Sequence, residues 1–433
     1  MKKTAVTIVL LLSALTLFAG GAGESDVRTV TVWHSNSGPA GNAFETIVED
    51  FNEGIGKEQG IEIEAVYQGL ANDVLTKVKA AAAADLSSLP DLAEMDATAC
   101  LDMRNADYLV PVAELGADTG RILPQALTAF RSERGVLGMP FNCSSLLLYY
   151  NKTLFESLGL EPPRTLDEFT EIAPLLGKKD QNGTVTRYAF AGAPATYELG
   201  AFIGAQNNLS YLVDGKNGHY STPTTTLFDK EGTFKNFLEH WKKLYDTGYA
   251  ENLASGTTEE FASGRTATVL KSSSSLSGLL TSVSGRFEIG TAFVPMVDEN
   301  ATGGVNIGGS ALFAFSSDEA VRTVVDYFTS APVQLYWTQQ TGYMPMNTEV
   351  YGLEDYQTFI EENPDFYTGV SQTLASNPEV VGIWIPSGYQ IYYSFMTEIR
   401  NVTENTKTID QAVADMAAAV QKAIDDYNSQ NLN

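Results

Sequence analysis

Between residues 28 and 95 the chain alternates between the two periodicities of regular structure. Residues 28–34 (Arg-Thr-Val-Thr-Val-Trp-His) read as a strand. Phe44, Ile47, Val48 and Phe51 then recur at i, i+3, i+4 and i+7, the apolar face of a helix. Ile61, Ile63, Ala65 and Tyr67 alternate with Glu62, Glu64 and Val66, which predicts a second strand bounded by Gly60 and Gly69. Residues 70–84 are Ala-rich and helical, and residues 90–95 form a short third strand. This βαβαβ order implies a parallel sheet covered on both faces. Ligands of such sheets bind at loops beyond the strand C-terminal ends. Those loops hold residues 34–38, Gln68-Gly69 and Asp96-Ala97-Thr98.

A second block opens at Pro140. Residues 144–150 are a near-continuous apolar strand, followed by a helix from Asn151 that Gly159 ends. Thr165 and Glu168 have capping-box spacing. Residues 179–184 resemble part of a calcium loop, but Lys178 and Ala189 stand where acidic ligands are needed, so a hairpin turn is expected. Residues 289–294 and 309–315 are strand-like, and residues 319–328 are helical. The last helix carries its stripe from Ile409 through Met416 to Tyr427. With no internal repeat and no Pro- or Gly-rich linker, the pattern fits two lobes joined by several chain crossings.

At the amino terminus, Lys2 and Lys3 precede an apolar run over residues 5–17 and then Ala19-Gly20-Gly21-Ala22. This is the layout of a signal peptide over residues 1–22. The run is shorter than the ~20 residues of a spanning helix. No Cys follows it, which argues against a lipid anchor and predicts a protein free in a periplasm. The 433 residues exceed one ordinary core, so two or three domains are expected. Formal net charge is −26, from 53 acidic against 27 basic residues, which disfavours nucleic acid and anionic membranes as partners. A small pocket can still be locally positive. Two cysteines, Cys100 and Cys143, are no disulfide framework and are expected as buried thiols.

Catalysis finds little support. His34, His219 and His240 have no metal-ligand spacing, and no nucleophile elbow, Walker loop or dinucleotide fingerprint is present. No cofactor or metal is implied. A carboxylate pair for glycoside hydrolysis is compatible with 53 acids, but nothing marks one pair among them. Lys271 and the four serines 272–275 are either a flexible loop or hydroxyl donors at a helix start.

Five stretches point to a family. They are Trp33-His34-Ser35, residues 140–152 from Pro140-Phe141-Asn142 to Tyr150-Asn151-Lys152, residues 261–267 (Phe-Ala-Ser-Gly-Arg-Thr-Ala), residues 307–310 (Ile-Gly-Gly-Ser) and residues 340–345 (Gln-Thr-Gly-Tyr-Met-Pro). In order and spacing the chain resembles the family 1 extracellular solute-binding proteins and, within them, the periplasmic sn-glycerol-3-phosphate-binding proteins. That resemblance implies an α/β, two-lobed periplasmic-binding-protein fold with discontinuous lobes and three hinge crossings, near Cys143, near Ala311 and within residues 354–365. The lobes are expected at 26–142 with 312–360 and at 143–311 with 361–433. It implies a monomer that closes on a small polar ligand and delivers it to the transmembrane permease subunits of an ABC importer. A chemosensory binding protein without import uses the same fold and remains open.

Carried over by position, the family's phosphate-side contacts fall on Ser144, Ser272, Gly309 and Tyr343. Others depart: the glycerol-side Tyr falls at Ala71, the glycerol-side Glu at Ala97 beside Asp96, a pocket Trp at Leu166, and the phosphate-pairing Arg at Tyr392. Lys271, beside Ser272, is the candidate to replace that charge, although a Lys lacks the planar fork. Tyr392, Tyr393, Trp384 and Tyr389 offer ring faces suited to a sugar, or simply pack a core. Trp33 and Trp337 are expected beside the cleft, and Asp96 and Ser144 are expected to govern affinity. The ligand is thus glycerol 3-phosphate or a related phosphodiester, or a mono- or oligosaccharide, with the lost Arg and the two lost glycerol-side contacts tilting towards sugar.

Overall fold

The computed structural model describes residues 27–194 and 197–431, so the proposed signal peptide lies outside the described residues. The main sheet runs in the order Ile61–Tyr67, Arg28–His34, Leu92–Asp96, Ile307–Ala314, Met139–Asn151, Thr266–Ser272, Val185–Gly192, Lys178–Lys179. The first three strands pair in parallel, as their βαβαβ order requires. Ile307–Ala314 then runs antiparallel to both Leu92–Asp96 and Met139–Asn151.

Two apolar cores lie along this sheet. The first gathers Val30, Phe44, Phe51, Leu92, Phe141 and Phe313. The second gathers Leu146, Leu148, Phe190, Trp241, Phe395 and Met416. Burying each such side chain stabilises the fold by roughly 1.5–3 kcal/mol. The long strand Met139–Asn151 supplies Phe141 to one core and Leu146 and Leu148 to the other. It begins five residues before the apolar run predicted at 144, because a strand buried on both faces shows no alternation to mark its start.

The lobes join where Met139–Asn151 and Ile307–Ala314 pass side by side. Their register slips by one residue between Ser310 and Ala311, a bulge that bends the pair. Gly309 sits here with φ +120°, and a Cβ on it would lie 2.1 Å from the Asn142 carbonyl oxygen. The chain returns once more through residues 353–367. Tyr356 packs with Val350, Ala331 and Leu335, while Asp365 accepts hydrogen bonds from the Thr291 N–H (2.8 Å) and hydroxyl (2.7 Å).

Residues 178–192 form the expected hairpin. Gly183 takes φ +82°, and Asp180 accepts from the N–H groups of Asn182 and Thr184 inside the turn. Cys100 and Cys143 are buried and free, and burial pushes both thiols up. Among the described residues no helix is long and apolar enough to cross a membrane.

Candidate functional site

Between the two cores lies a cavity of about 360 Å³. The crossing strands form its floor through Ser144 and residues 307–310; Asp96, Thr98 and Tyr343 line one side, and Ser272, Asn306, Trp384 and Tyr392 the other. The volume falls in the range of small-molecule sites.

Each wall has a local cause. Asp96 ends its strand and caps the turn after it, with Oδ1 accepting from the Thr98 N–H at 2.9 Å and from the Thr98 hydroxyl. Ser272 does the same for the turn at Ser273–Ser275: its Oγ accepts the Ser274 N–H at 3.2 Å. Ser273 Oγ accepts from the Ser145 N–H at 3.2 Å, tying the serine run to the crossing strand. The run is therefore an ordered turn, not a flexible loop. Tyr343 stacks on Trp337 with centroids 5.9 Å apart, and its hydroxyl bonds Ser274. Burial, then the nearby Glu94, push that phenol up. The Tyr392 hydroxyl lies 3.5 Å from the Ile383 carbonyl.

Of the residues singled out from sequence, Asp96, Ser144, Ser272, Gly309, Tyr343 and Tyr392 line one cavity. Lys271 does not. Strand pleating sends it to the opposite face from Ser272, towards the face on which Val269 packs; burial lowers its pKa, and Glu259 and Glu198 are the charges nearest in effect. Trp33 and Trp337 also miss the lining, and Trp337 is fully buried. Leu166 is core. Of the three strand-end loops only residues 96–98 reach the cavity. His34 instead stacks on Phe44 at 4.5 Å, and burial holds its imidazole down at about 4.

Two groups escaped the sequence reading. Asn306 is buried in the cavity wall, and its Oδ1 has no protein partner among the described residues. Gly200 packs so tightly on it that a Cβ there would fall 2.2 Å from Oδ1. Glu94 shares a strand face with Asp96 but is wholly buried beneath it. It accepts from the side-chain amides of Asn36 and Asn142, each at 2.5 Å, and from the Ser310 hydroxyl and the Ser35 N–H. No periodicity distinguishes such a carboxyl from a surface one.

Burial pushes the Glu94 carboxyl up to about 7 from an ordinary 4.5. The folded state therefore holds a proton that the unfolded chain releases between those values. The stability this contributes is complete below pH 4.5 and is lost as pH rises through about 7. Thermal melts of Glu94→Gln from pH 5 to 8 should fall less with pH than those of the wild type. Parallel curves would place this proton elsewhere.

Among the described residues no cluster of three or more His, Cys, Asp and Glu could hold a metal ion. The lining offers hydroxyls, an amide, one carboxylate and ring faces. That is equipment for holding a polar molecule by hydrogen bonds and stacking.

Residues 46–367 match the family model described as bacterial extracellular solute-binding protein. The sn-glycerol-3-phosphate-binding periplasmic protein UgpB of Escherichia coli (strain K12) is 25% identical over 419 residues, covering 93% of this chain and 94% of its own. UgpB from Mycobacterium tuberculosis, solved with glycerophosphocholine, superposes with a TM-score of 0.72 at 19% identity, over 92% of this chain and 99% of that one. The GacH receptor of Streptomyces glaucescens, solved unliganded and with acarbose, gives 0.71 at 23% identity, over 92% and 98%. With the family model matched over most of its length and a cavity set between two lobes that share their sheet strands, the chain belongs to the bacterial extracellular solute-binding proteins.

Proposed function

We propose that this protein captures a neutral mono- or disaccharide in a periplasm and delivers it, as a monomer and without chemical turnover, to the transmembrane subunits of an ABC importer. The observation that carries the ligand class is the charge of the lining. Among the described residues, Asp96 is its one ionic side chain and no Lys or Arg takes part. Desolvating a phosphate dianion beside a carboxylate without a cation costs several kcal/mol, whereas sugar hydroxyls suit the hydroxyls of Ser144, Ser272 and Ser310. Tyr343, Trp384 and Tyr392 supply faces for the apolar side of a ring. Ligand contacts to both lobes then favour closure. The lobe limits expected from sequence, 26–142 with 312–360 and 143–311 with 361–433, remain part of this reading.

A second reading, glycerol 3-phosphate or a phosphodiester, has the similarity to UgpB over 93% of the chain in its favour. A thermal-shift screen separates the two. A ligand at a hundred times its Kd stabilises the folded state by about 2.7 kcal/mol. Glucose, maltose and trehalose are to be run against glycerol 3-phosphate and glycerophosphocholine. A sugar should raise the melting temperature, and Asp96→Asn should weaken its binding by about 1–3 kcal/mol, the cost of an unpaired polar partner. Stabilisation by the phosphate esters alone, strengthened by Asp96→Asn, would overturn the sugar assignment.

A further inference from the structure

The lobes also touch away from the crossing strands, behind the cavity wall. Arg104 ends the helix Cys100–Arg104, beside Met103 of the first core. Its side chain is only 1% exposed. One guanidinium nitrogen donates to the Gly218 carbonyl and another to the Thr222 hydroxyl, both at 2.5 Å, on a loop of the second lobe. Glu133 Oε1 lies 3.6 Å from Arg104 Nε. His219, on the same loop, sets Nδ1 3.1 Å from the Arg131 carbonyl of the first lobe and Nε2 3.0 Å from the Gly382 carbonyl. Its ring stacks on Trp384 with centroids 3.7 Å apart and planes 17° apart.

Trp384 makes the connection to the ligand site. Its neighbours Ile383 and Ile385 pack in the second core, but its own ring is buried among residues of the first. The Trp384 N–H donates to the Asn217 carbonyl at 2.8 Å, and a Cβ on Gly218 would meet the Trp384 carbonyl oxygen at 2.3 Å. Gly382, Ile383 and Trp384 all line the cavity. The loop is held in costly backbone geometry: residues 215–218 all have positive φ, including Lys216 and Asn217.

We propose that Arg104 and His219 form an interlobe latch, positioning residues that clamp loop 214–222 and the cavity-wall segment 382–384 onto the first lobe and so favour the closed cleft. Parting the lobes at this edge would break both guanidinium hydrogen bonds and pull an indole from the first core. The latch rests on the reading of the cleft as a closing ligand site, but its test needs no ligand.

Spin labels at Glu62→Cys and Asn182→Cys, both exposed, report the interlobe distance by pulsed electron resonance, since the native cysteines are buried. Without any sugar, the latched protein should show a short-distance population. Arg104→Ala should deplete that population roughly 10- to 100-fold relative to the open one. Thr222→Val, which removes one acceptor and little else, should shift it in the same direction by a smaller factor. Distance distributions unchanged in both variants would overturn the latch, whatever ligand the cleft proves to take. Should Arg104→Ala fail to fold, an unchanged distribution in Thr222→Val alone decides against it.

Discussion

Alanine at position 309 is expected to destabilise the protein by about 3–5 kcal/mol, near the upper limit for one substitution. Two costs add. Gly309 has φ +120°, a conformation that side-chain-bearing residues rarely adopt, at a cost of roughly 1–3 kcal/mol. The new methyl would also stand 2.1 Å from the Asn142 carbonyl oxygen and 2.8 Å from the Cys143 Cα. Both are backbone atoms of the partner crossing strand and cannot rotate away. The strands must then part where the lobes join, and the Asn142–Glu94 contact beneath goes with them. Urea denaturation checks this, with Gly352→Ala as control, since a methyl there meets nothing within 4 Å. A Gly309→Ala midpoint within error of the wild type would remove the tight crossing from the account of the fold.

Tyr392→Arg is expected to cut sugar affinity by about 2–3 kcal/mol, roughly 30- to 150-fold by calorimetry. It removes a ring from the cavity wall and places a strongly hydrated cation where an apolar sugar face would rest. Lys271→Ala should leave sugar binding within threefold, because the Lys271 side chain does not line the cavity. If the ligand is a phosphate ester, Lys271→Ala still leaves binding little changed, and Arg at 392 preserves or improves it through a charge-assisted bond. Tight phosphate-ester binding that is lost with Tyr392→Arg would contradict both ligand readings.

What the chain revealed in advance follows from which physical signals are local. The pleat of Arg28–His34 and Ile61–Tyr67 and the helical stripe of Phe44, Ile47, Val48 and Phe51 are written in neighbouring residues, so those elements were legible. Met139–Asn151 was legible only from residue 144, where its apolar run begins. Ser144, Ser272, Gly309, Tyr343 and Tyr392 came through positional likeness to a family, whereas Asp96 also followed from its place in a loop beyond a strand C-terminal end. Lys271 shows the weakness of adjacency: one step along a strand from Ser272 is the opposite face of the sheet. Asn306 and Glu94 carry no local mark, because a buried, unpaired amide oxygen and a carboxyl held by four donors exist only after distant segments meet. The Trp384–His219 stack joins residues 165 positions apart, beyond any window of periodicity.

The strand Ile307–Ala314 lies in mid-sheet between Leu92–Asp96 and Met139–Asn151, yet it is made long after both. Until it emerges, the first lobe has an unpaired sheet edge and an incomplete core, since Leu312 and Phe313 are among its buried residues. Closing loops of this length carries an entropic cost that local contacts cannot offset early, so folding is expected to be slow and late. For a protein of an exported family, that delay has a use. A chain unable to complete either lobe during synthesis stays loose enough to be threaded through a membrane before it folds.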